Sequence, residues 1–319
     1  MQLRGHGEKG IAIITLAVSL ALLVPILGLS VDGGLLWAAN NKLNSACDAA
    51  ALATARSLGY GATLPDQIAY ATNRGEAFFQ ANFDSALFGS ASVAPIINVA
   101  EISPSVLEVT VTAKLKIPVY FMRYLGPNAS QVQAASHVIR RDVDLVLAID
   151  TSSGAYCQEA VRQGKLFANS FMAGRDRIGL VVNGQPILDP DPRFKAANML
   201  SAQLDLVTCG TSINSGVGAA PAAAYQQIAK LNRPEALNAV VWITAKPFAP
   251  SANPSALTYV IGQPMAPELE KTIRRFSNDS REPNVDSERP VGMFLKVGEF
   301  SQLGQAFSTI LNDLMSAGR

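Results

Sequence analysis

The chain has few of the side chains from which most enzymes and metal centres are built. It carries two histidines, His6 and His137, and three cysteines, Cys47, Cys157 and Cys209, in 319 residues. No two cysteines form a CxxC pair, which excludes a zinc ribbon and a thioredoxin-type redox motif. A Ser-His-Asp or Cys-His nucleophile would have to use His137, and no G-x-S-x-G elbow accompanies it. A histidine in a strand is more often structural than catalytic. Gly164-Lys165 is followed by Leu166 with no glycine-rich turn before it, so there is no P-loop. Ser215-Gly216-Val217-Gly218 reads as the start of a helix, not a dinucleotide turn. Charge is scarce too: 16% of residues are charged and the net formal charge is +1. Arg140-Arg141 is the one notable basic pair in the middle of the chain. Such a sequence offers nucleic acid no broad electrostatic footprint.

Apolar residues are abundant, at 49% of the chain, and their distribution is uneven. No charge occurs between Lys9 and Asp32. The run Gly10–Val31 would span ~33 Å as a helix, against about 30 Å for a hydrocarbon core. Pro25 lies inside it, which a spanning helix tolerates better than a soluble one. The run is too long for a signal-peptide apolar region, and Trp37-Ala38-Ala39 is a poor A-x-A cleavage site. A retained transmembrane helix is therefore expected over 10–31. Arg4 and Lys9 lie before the span, and the first basic residue after it is Lys42. The positive-inside rule then places residues 1–9 in the cytoplasm and the rest of the chain outside.

Beyond the span, Leu35, Leu36, Leu43, Ala46, Ala50 and Ala53 recur at spacings of three, four and seven, as in an amphipathic continuation of the helix. Gly59 and Gly61 are its stop signals. A second helix is expected over Pro65–Phe83. Strands follow at Val93–Ile102, Val106–Val119 and Gln131–Arg140, the last two with clear alternation. Residues 32–140 thus form a pilin-like α+β module, a helix over a small antiparallel sheet. From 141 to 319 the pattern changes. Val143–Ile149 is a continuous apolar run, as in a buried parallel strand. Helices at Gln158–Ala173, Arg193–Leu204, Ser215–Leu231, Glu268–Phe276 and Ser301–Met315 alternate with strands at Arg177–Val182, Asn238–Thr244 and Val291–Val297. This alternation implies an α/β, doubly wound parallel sheet of Rossmann type. Residues 277–290 read as an exposed loop.

Four stretches resemble the TadG-like proteins of Tad (Flp) pilus assembly. They are the span ending Pro25-Ile26-Leu27-Gly28-Leu29-Ser30-Val31-Asp32-Gly33, the helix with Ala46-Cys47-Asp48-Ala49-Ala50-Ala51-Leu52-Ala53, the segment Pro118-Val119-Tyr120-Phe121-Met122-Arg123-Tyr124-Leu125-Gly126, and Asp144 to Gly154. The last resembles the opening strand and loop of a von Willebrand factor A (vWA) domain. Gly210-Thr211-Ser212-Ile213 and the closing helix with Leu303, Phe307 and Ile310 fit the same pattern. The resemblance implies a bacterial inner-membrane protein with a single pass. Its partners would be other Tad pilus assembly and pilin-like proteins and the lipid of the inner membrane.

It also implies where a metal would sit. A vWA adhesion site draws oxygen ligands from a D-x-S-x-S loop, a second-loop threonine and a third-loop aspartate, and holds Mg²⁺. Asp150 and Ser152 match the first two ligands, and Thr211 matches the threonine. Gly154 stands where the second serine would be, and Ala245 and Lys246 where the aspartate would be. The site therefore reads as vestigial, with no cofactor, and Asp150, Ser152 and Thr211 satisfy loop hydrogen bonds instead. The other reading is that the site still holds a metal through substitutes such as Asp189, Asp191 or Asp205. In the same layout Cys157 starts the helix after the first loop and Cys209 lies just before Thr211, with both loops at one edge of the sheet, so a disulfide is one reading and two separate buried thiols the other. The function these residues imply is non-enzymatic contact with pilus partners. The alternatives are a metal-dependent adhesin, an envelope-complex scaffold and a periplasmic hydrolase acting through His137.

Overall fold

A computed structural model describes residues 8–89, 92–124, 126, 128–190, 196–210, 219–231, 233, 235–245 and 256–316. The first element, α1 (Glu8–Ser57), is one unbroken helix through Pro25. Its described side chains from Ile13 to Val31 are exposed apart from Gly28, including Ile13, Leu16, Leu20, Leu23 and Leu27. Such a sleeve of apolar side chains facing outward is unfavourable in water, because each forfeits its burial free energy. Past Asp32 the pattern becomes one-sided: Ala39, Leu43, Ala46, Cys47 and Ala50 are buried while Asn41, Lys42 and Asp48 are exposed. This is the stripe that the spacing anticipates. It is the helix's one charged boundary, not a break in the backbone, that separates the two regimes.

The second helix, α2 (Leu64–Asn82), is followed by a three-stranded sheet of β1 (Ile96–Ser103), β2 (Val106–Pro118) and β3 (Ala129–Arg141), with β2 central. Two residues, Pro104 and Ser105, join β1 to β2, which leaves room only for a hairpin. In β2 the residues Leu107, Val109, Val111, Ala113, Leu115 and Ile117 are all buried, so the period-2 alternation sets one face inward.

The remaining elements are β4 (Val143–Ile149), α3 (Gly154–Ala168), β5 (Arg177–Val182), β6 (Gln185–Leu188), α4 (Ala196–Asp205), α5 (Ala219–Leu231), β7 (Leu237–Thr244), β8 (Leu257–Gly262), α6 (Pro267–Ser277), β9 (Met293–Lys296) and α7 (Leu303–Ser316). The six strands order as β6-β5-β4-β7-β8-β9. All neighbouring pairs are parallel except β5 with β6, which is antiparallel. The sheet is thus mixed, not purely parallel. Every residue of β4 is buried. Leu145, Leu147 and Ile149 join a core with Tyr156, Phe167, Leu204 and Phe307 from α3, α4 and α7. Val146 and Ala148 join another with Ala224, Ile273 and Phe276 from α5 and α6. Helices therefore cover both faces, which is why the central strand carries no polar alternation.

Four expectations need correction. β6 and β8 are strands that the sequence pattern does not announce. The helix expected at Gln158–Ala173 begins earlier, at Gly154, and ends at Ala168. Of the helix expected from Ser215, residues 215–218 lie outside the described residues, and the helix runs Ala219–Leu231. Residues 277–290 are not simply an exposed loop. Ser277, Asn278 and Asp279 are buried, and the Asn278 side-chain amide donates to the carbonyls of Asp286, Arg289 and Pro290.

The chain divides into two compact units. One comprises Met1–Ala51, Gly75–Ile97 and Thr110–His137; the other comprises Leu52–Arg74, Asn98–Val109 and Val138–Arg319. The elements of residues 32–140 are thus shared between the two units.

Candidate functional site

Parallel α/β sheets place their working loops at the carboxyl ends of the strands. Here that edge follows β4, β5 and β7. Asp150 is the first residue past β4, and its N–H donates to the Ile243 carbonyl of β7 at 2.9 Å. Its carboxylate is occupied by its own surroundings. Oδ1 accepts the Ser152 N–H at 2.9 Å, and Oδ2 accepts the Thr244 hydroxyl at 3.2 Å. This is the loop-stabilising arrangement in which an aspartate serves the backbone two residues on. Thr151 is held from the other side: its N–H donates to Asn183 Oδ1 at 3.0 Å, and Asn183 Nδ2 donates to the Thr151 hydroxyl at 2.7 Å. Asn183 can do this because it sits at φ 49°, a left-handed conformation that asparagine tolerates better than most residues. The Ser152 hydroxyl is buried and finds no partner among the described residues.

Cys157 and Cys209 form a disulfide, with Cα atoms 5.6 Å apart, inside the usual range for such a bond. Cys157 lies in the first turn of α3, which begins at Gly154 after Ser153, so it does not itself start the helix. The Gly210 N–H donates to the Thr151 carbonyl at 2.8 Å. A Cβ on Gly154 would lie 3.8 Å from the Gly210 Cα, so the two backbones run side by side. Gly210 has φ 85°, which favours glycine there. Covalent and hydrogen-bonded ties thus join the loops after β4 and α4. Beside them is a cavity of about 300 Å³ lined by Thr151, Asn183, Ile187, Leu206, Val207 and Thr208. Leu206 is 74% exposed, an apolar side chain presented at the rim.

Among the described residues, the side chains at these positions supply fewer oxygens than a Mg²⁺ site of this kind draws on. Gly154 supplies no side-chain oxygen, and Ala245 supplies none and instead packs on the core. Asp189 accepts from Gln227 Nε2 at 3.1 Å, and Asp205 pairs with Lys165. Among the described residues no three His, Cys, Asp or Glu side chains gather as metal ligands. Thr211, Lys246 and Asp191 lie outside the described residues. His137 is exposed on β3, with Nδ1 3.3 Å from the Thr110 hydroxyl.

The opposite, amino edge of the sheet holds a charge cluster that the sequence reading missed. Arg140, Asp142, Asp144 and Asp176 are all buried. Arg140 pairs with Asp176, which also accepts the N–H groups of Val143 at 2.8 Å and Met172 at 2.6 Å. Asp142 accepts from Arg175 at 2.9 Å and Arg233 at 3.0 Å. Arg175 reaches on to Glu101 at 3.1 Å. Asp144 has Arg233 at 3.5 Å and Arg177 at 4.0 Å, and neither carboxylate oxygen makes a hydrogen bond among the described residues. Burial pushes its carboxyl up to about 6, with Arg233 and Arg177 pulling the other way. Burial also raises Asp142, against the pull of Arg175 and Arg233. Desolvation offsets most of the attraction in such a buried network, yet removing one partner is costly because it leaves a buried charge uncompensated. The signal in the sequence is the pair of charges at the start of each buried strand, Asp142 and Asp144 around the first residue of β4 and Asp176 and Arg177 where β5 begins.

Comparison with known proteins adds three findings. Residues 10–57 match the model of a family described as putative Flp pilus-assembly TadE/G-like. No curated protein matches the chain. Among solved structures, the pilus adhesin RrgA from Streptococcus pneumoniae is similar at 11% identity and a TM-score of 0.25 over 49% of this chain, which spans a quarter, 25%, of that one. That score is too low to carry an argument about the fold. The family match covers α1, so it is the apolar helix and its buried extension that resemble Tad pilus-assembly proteins.

Proposed function

We propose that this chain is a membrane-anchored, non-enzymatic component of Tad (Flp) pilus assembly, acting through protein contacts of its α/β unit. The observation that carries the reading is α1. Its matched residues 10–57 begin with an outward-facing apolar sleeve of bilayer length and continue as a helix with one buried stripe. On this reading residues 10–31 cross the bacterial inner membrane, 1–9 remain in the cytoplasm and the remainder lies outside. The six-stranded unit is of vWA type, and the loops tied by Cys157–Cys209 with the apolar cavity beside them form its contact surface. An oxidising compartment, where a structural disulfide persists, agrees with that placement.

Crosslinking in intact cells tests it. A photoreactive residue at Leu206 or Ile187 should capture a pilus-assembly or pilin-like protein. Recovery of no pilus component from membranes, with the crosslinker active, would count against the role. Protease added to spheroplasts should digest the large domain, and full protection would refute the topology.

One observation keeps a second reading in view. The buried Ser152 hydroxyl beside Asp150, without a partner among the described residues, is what a metal-dependent adhesin would retain. Calorimetry separates the two, since the proposed reading predicts no Mg²⁺ or Mn²⁺ binding tighter than roughly 100 μM.

A further inference from the structure

The segment between β2 and β3 makes a contact with α1 that no local sequence signal announces. Pro118 ends β2, and the chain then turns through Tyr120 and Phe121 into a short 3₁₀ turn, Met122–Tyr124. Three successive N–H groups point the same way there. Asp32 accepts all three: Tyr120 at 2.9 Å on one oxygen, and Phe121 at 2.9 Å and Met122 at 2.7 Å on the other. Consecutive backbone donors of this kind make an anion-binding concavity. Here an acidic side chain some 90 positions away in the sequence fills it, and Asp32 is fully buried as a result. One helical turn earlier, at Gly28, the Phe121 ring lies directly against the helix. A Cβ on Gly28 would fall 2.4 Å from the ring carbons. Only glycine allows that approach.

These two contacts fix the depth of the loop. Asp32 is the residue that closes the uncharged run, and Gly28 lies inside it. Phe121 therefore sits level with the end of the apolar span. Tyr120, at 54% exposure, and Tyr124, at 75%, project from the same turn. Arg123 lies 5.0 Å over the Tyr124 ring and donates to its hydroxyl at 3.0 Å. No acidic residue occurs from 118 to 128. Trp37, at 70% exposure, lies about 140° around the helix from Asp32 and ~8 Å further along it. Tyrosine, tryptophan and arginine are the side chains that combine an apolar body with a polar tip, and they concentrate where hydrocarbon gives way to headgroups.

We propose that Tyr120, Phe121, Arg123 and Tyr124 form an interfacial foot that lies in the outer headgroup layer of the membrane, clamped to the anchor helix through Asp32 and Gly28. This rests on the reading of residues 10–31 as a membrane span. The occupant of the exposed aromatic surface is lipid and not protein because its depth is set by the helix itself. With Trp37 on the far side, the helix is gripped at the interface from two directions. The foot would hold the emerging helix at one depth and one rotation, so that its buried stripe beyond Asp32 leaves the membrane in a fixed orientation.

The test uses the full chain in vesicles of phosphatidylethanolamine and phosphatidylglycerol. Cys47 is buried and the other two cysteines are bonded, so an introduced cysteine is the thiol open to a fluorescent label. The label is placed at Tyr124→Cys, and in a second protein at Val18→Cys. Nitroxide-bearing lipids quench it from near the glycerol or from near the chain end. The expected result is that position 124 is quenched more by the shallow nitroxide and position 18 more by the deep one. Quenching at 18 with none at 124 would overturn the foot and leave the anchor standing. No quenching at either position would overturn both. Asp32→Ala should reduce shallow quenching at 124 by roughly two-fold or more while position 18 is unchanged. Undiminished quenching at 124 in that variant would overturn the clamp.

Discussion

Reducing the Cys157–Cys209 bond tests how much of the contact edge is held by covalent closure. The two residues are 52 positions apart. Removing the cross-link restores the chain entropy of a loop of that size to the unfolded state, about 14 cal/mol/K, or about 4 kcal/mol at room temperature. That is a large share of the stability of a typical domain. For a unit of this size it corresponds to a drop in Tm of roughly 10 °C. Trp242 is fully buried in the six-stranded sheet, whereas Trp37 is already exposed, so a change in tryptophan emission reports unfolding of that unit. Urea titrations with and without a reductant should differ in midpoint, and the slope should rise on reduction because the unfolded chain without the cross-link exposes more surface. The double substitution Cys157→Ala/Cys209→Ala should show a similar loss and be insensitive to reductant. The reasoning would be refuted by an unfolding free energy that stays within about 0.5 kcal/mol of that of the oxidised protein. In that case the Gly210 N–H to Thr151 bond and the packing of the flanking helices hold the loops together without the cross-link.

Three further outcomes are expected from the same structure. Asp176→Ala strips the partner from the buried Arg140 and orphans the N–H groups of Val143 and Met172, so urea unfolding should show a loss of about 3–5 kcal/mol; a loss below about 1 kcal/mol would contradict the burial. The folded pKa of Asp144, about 6, is above its ordinary value of 3.8. Its protonated form therefore favours the fold below about pH 4, and that contribution fades as pH rises through about 6. The stability of Asp144→Asn relative to the parent should accordingly increase between about pH 4 and about pH 7, and a flat difference would remove the claim. On the proposed reading of a protein that works by contact, His137→Ala should leave pilus assembly intact, because the ring is exposed on β3; loss of assembly with a folded protein would revive the hydrolase alternative.

The elements that the sequence exposed most clearly were those whose environment is simple. The apolar run 10–31, the stripe through Leu43, Ala46 and Ala50, and the alternation of Val109, Val111 and Ala113 each reflect a single buried face or none. β6 escaped because Pro186 sits in a four-residue edge strand whose side chains are largely exposed, and proline usually argues against a strand. β8 escaped because a run as short as Leu257–Gly262, buried on both faces, has no period to read. At the carboxyl edge, Asp150 and Ser152 were legible as candidates, but a partner that occupies Asp150 comes from Thr244, some 94 residues on. The pairing of Arg140 with Asp176 and of Asp32 with three backbone groups past β2 is likewise tertiary. Local propensity holds no record of contacts at such separations.

The most direct measurement is the intact mass of the chain recovered from alkaline-washed bacterial membranes, set beside that of any chain in the soluble fraction. If α1 is a retained anchor, the protein resists extraction and its mass includes residues 10–31. Finding the mature protein in the soluble fraction, with the apolar segment cut away, would contradict the account at its base.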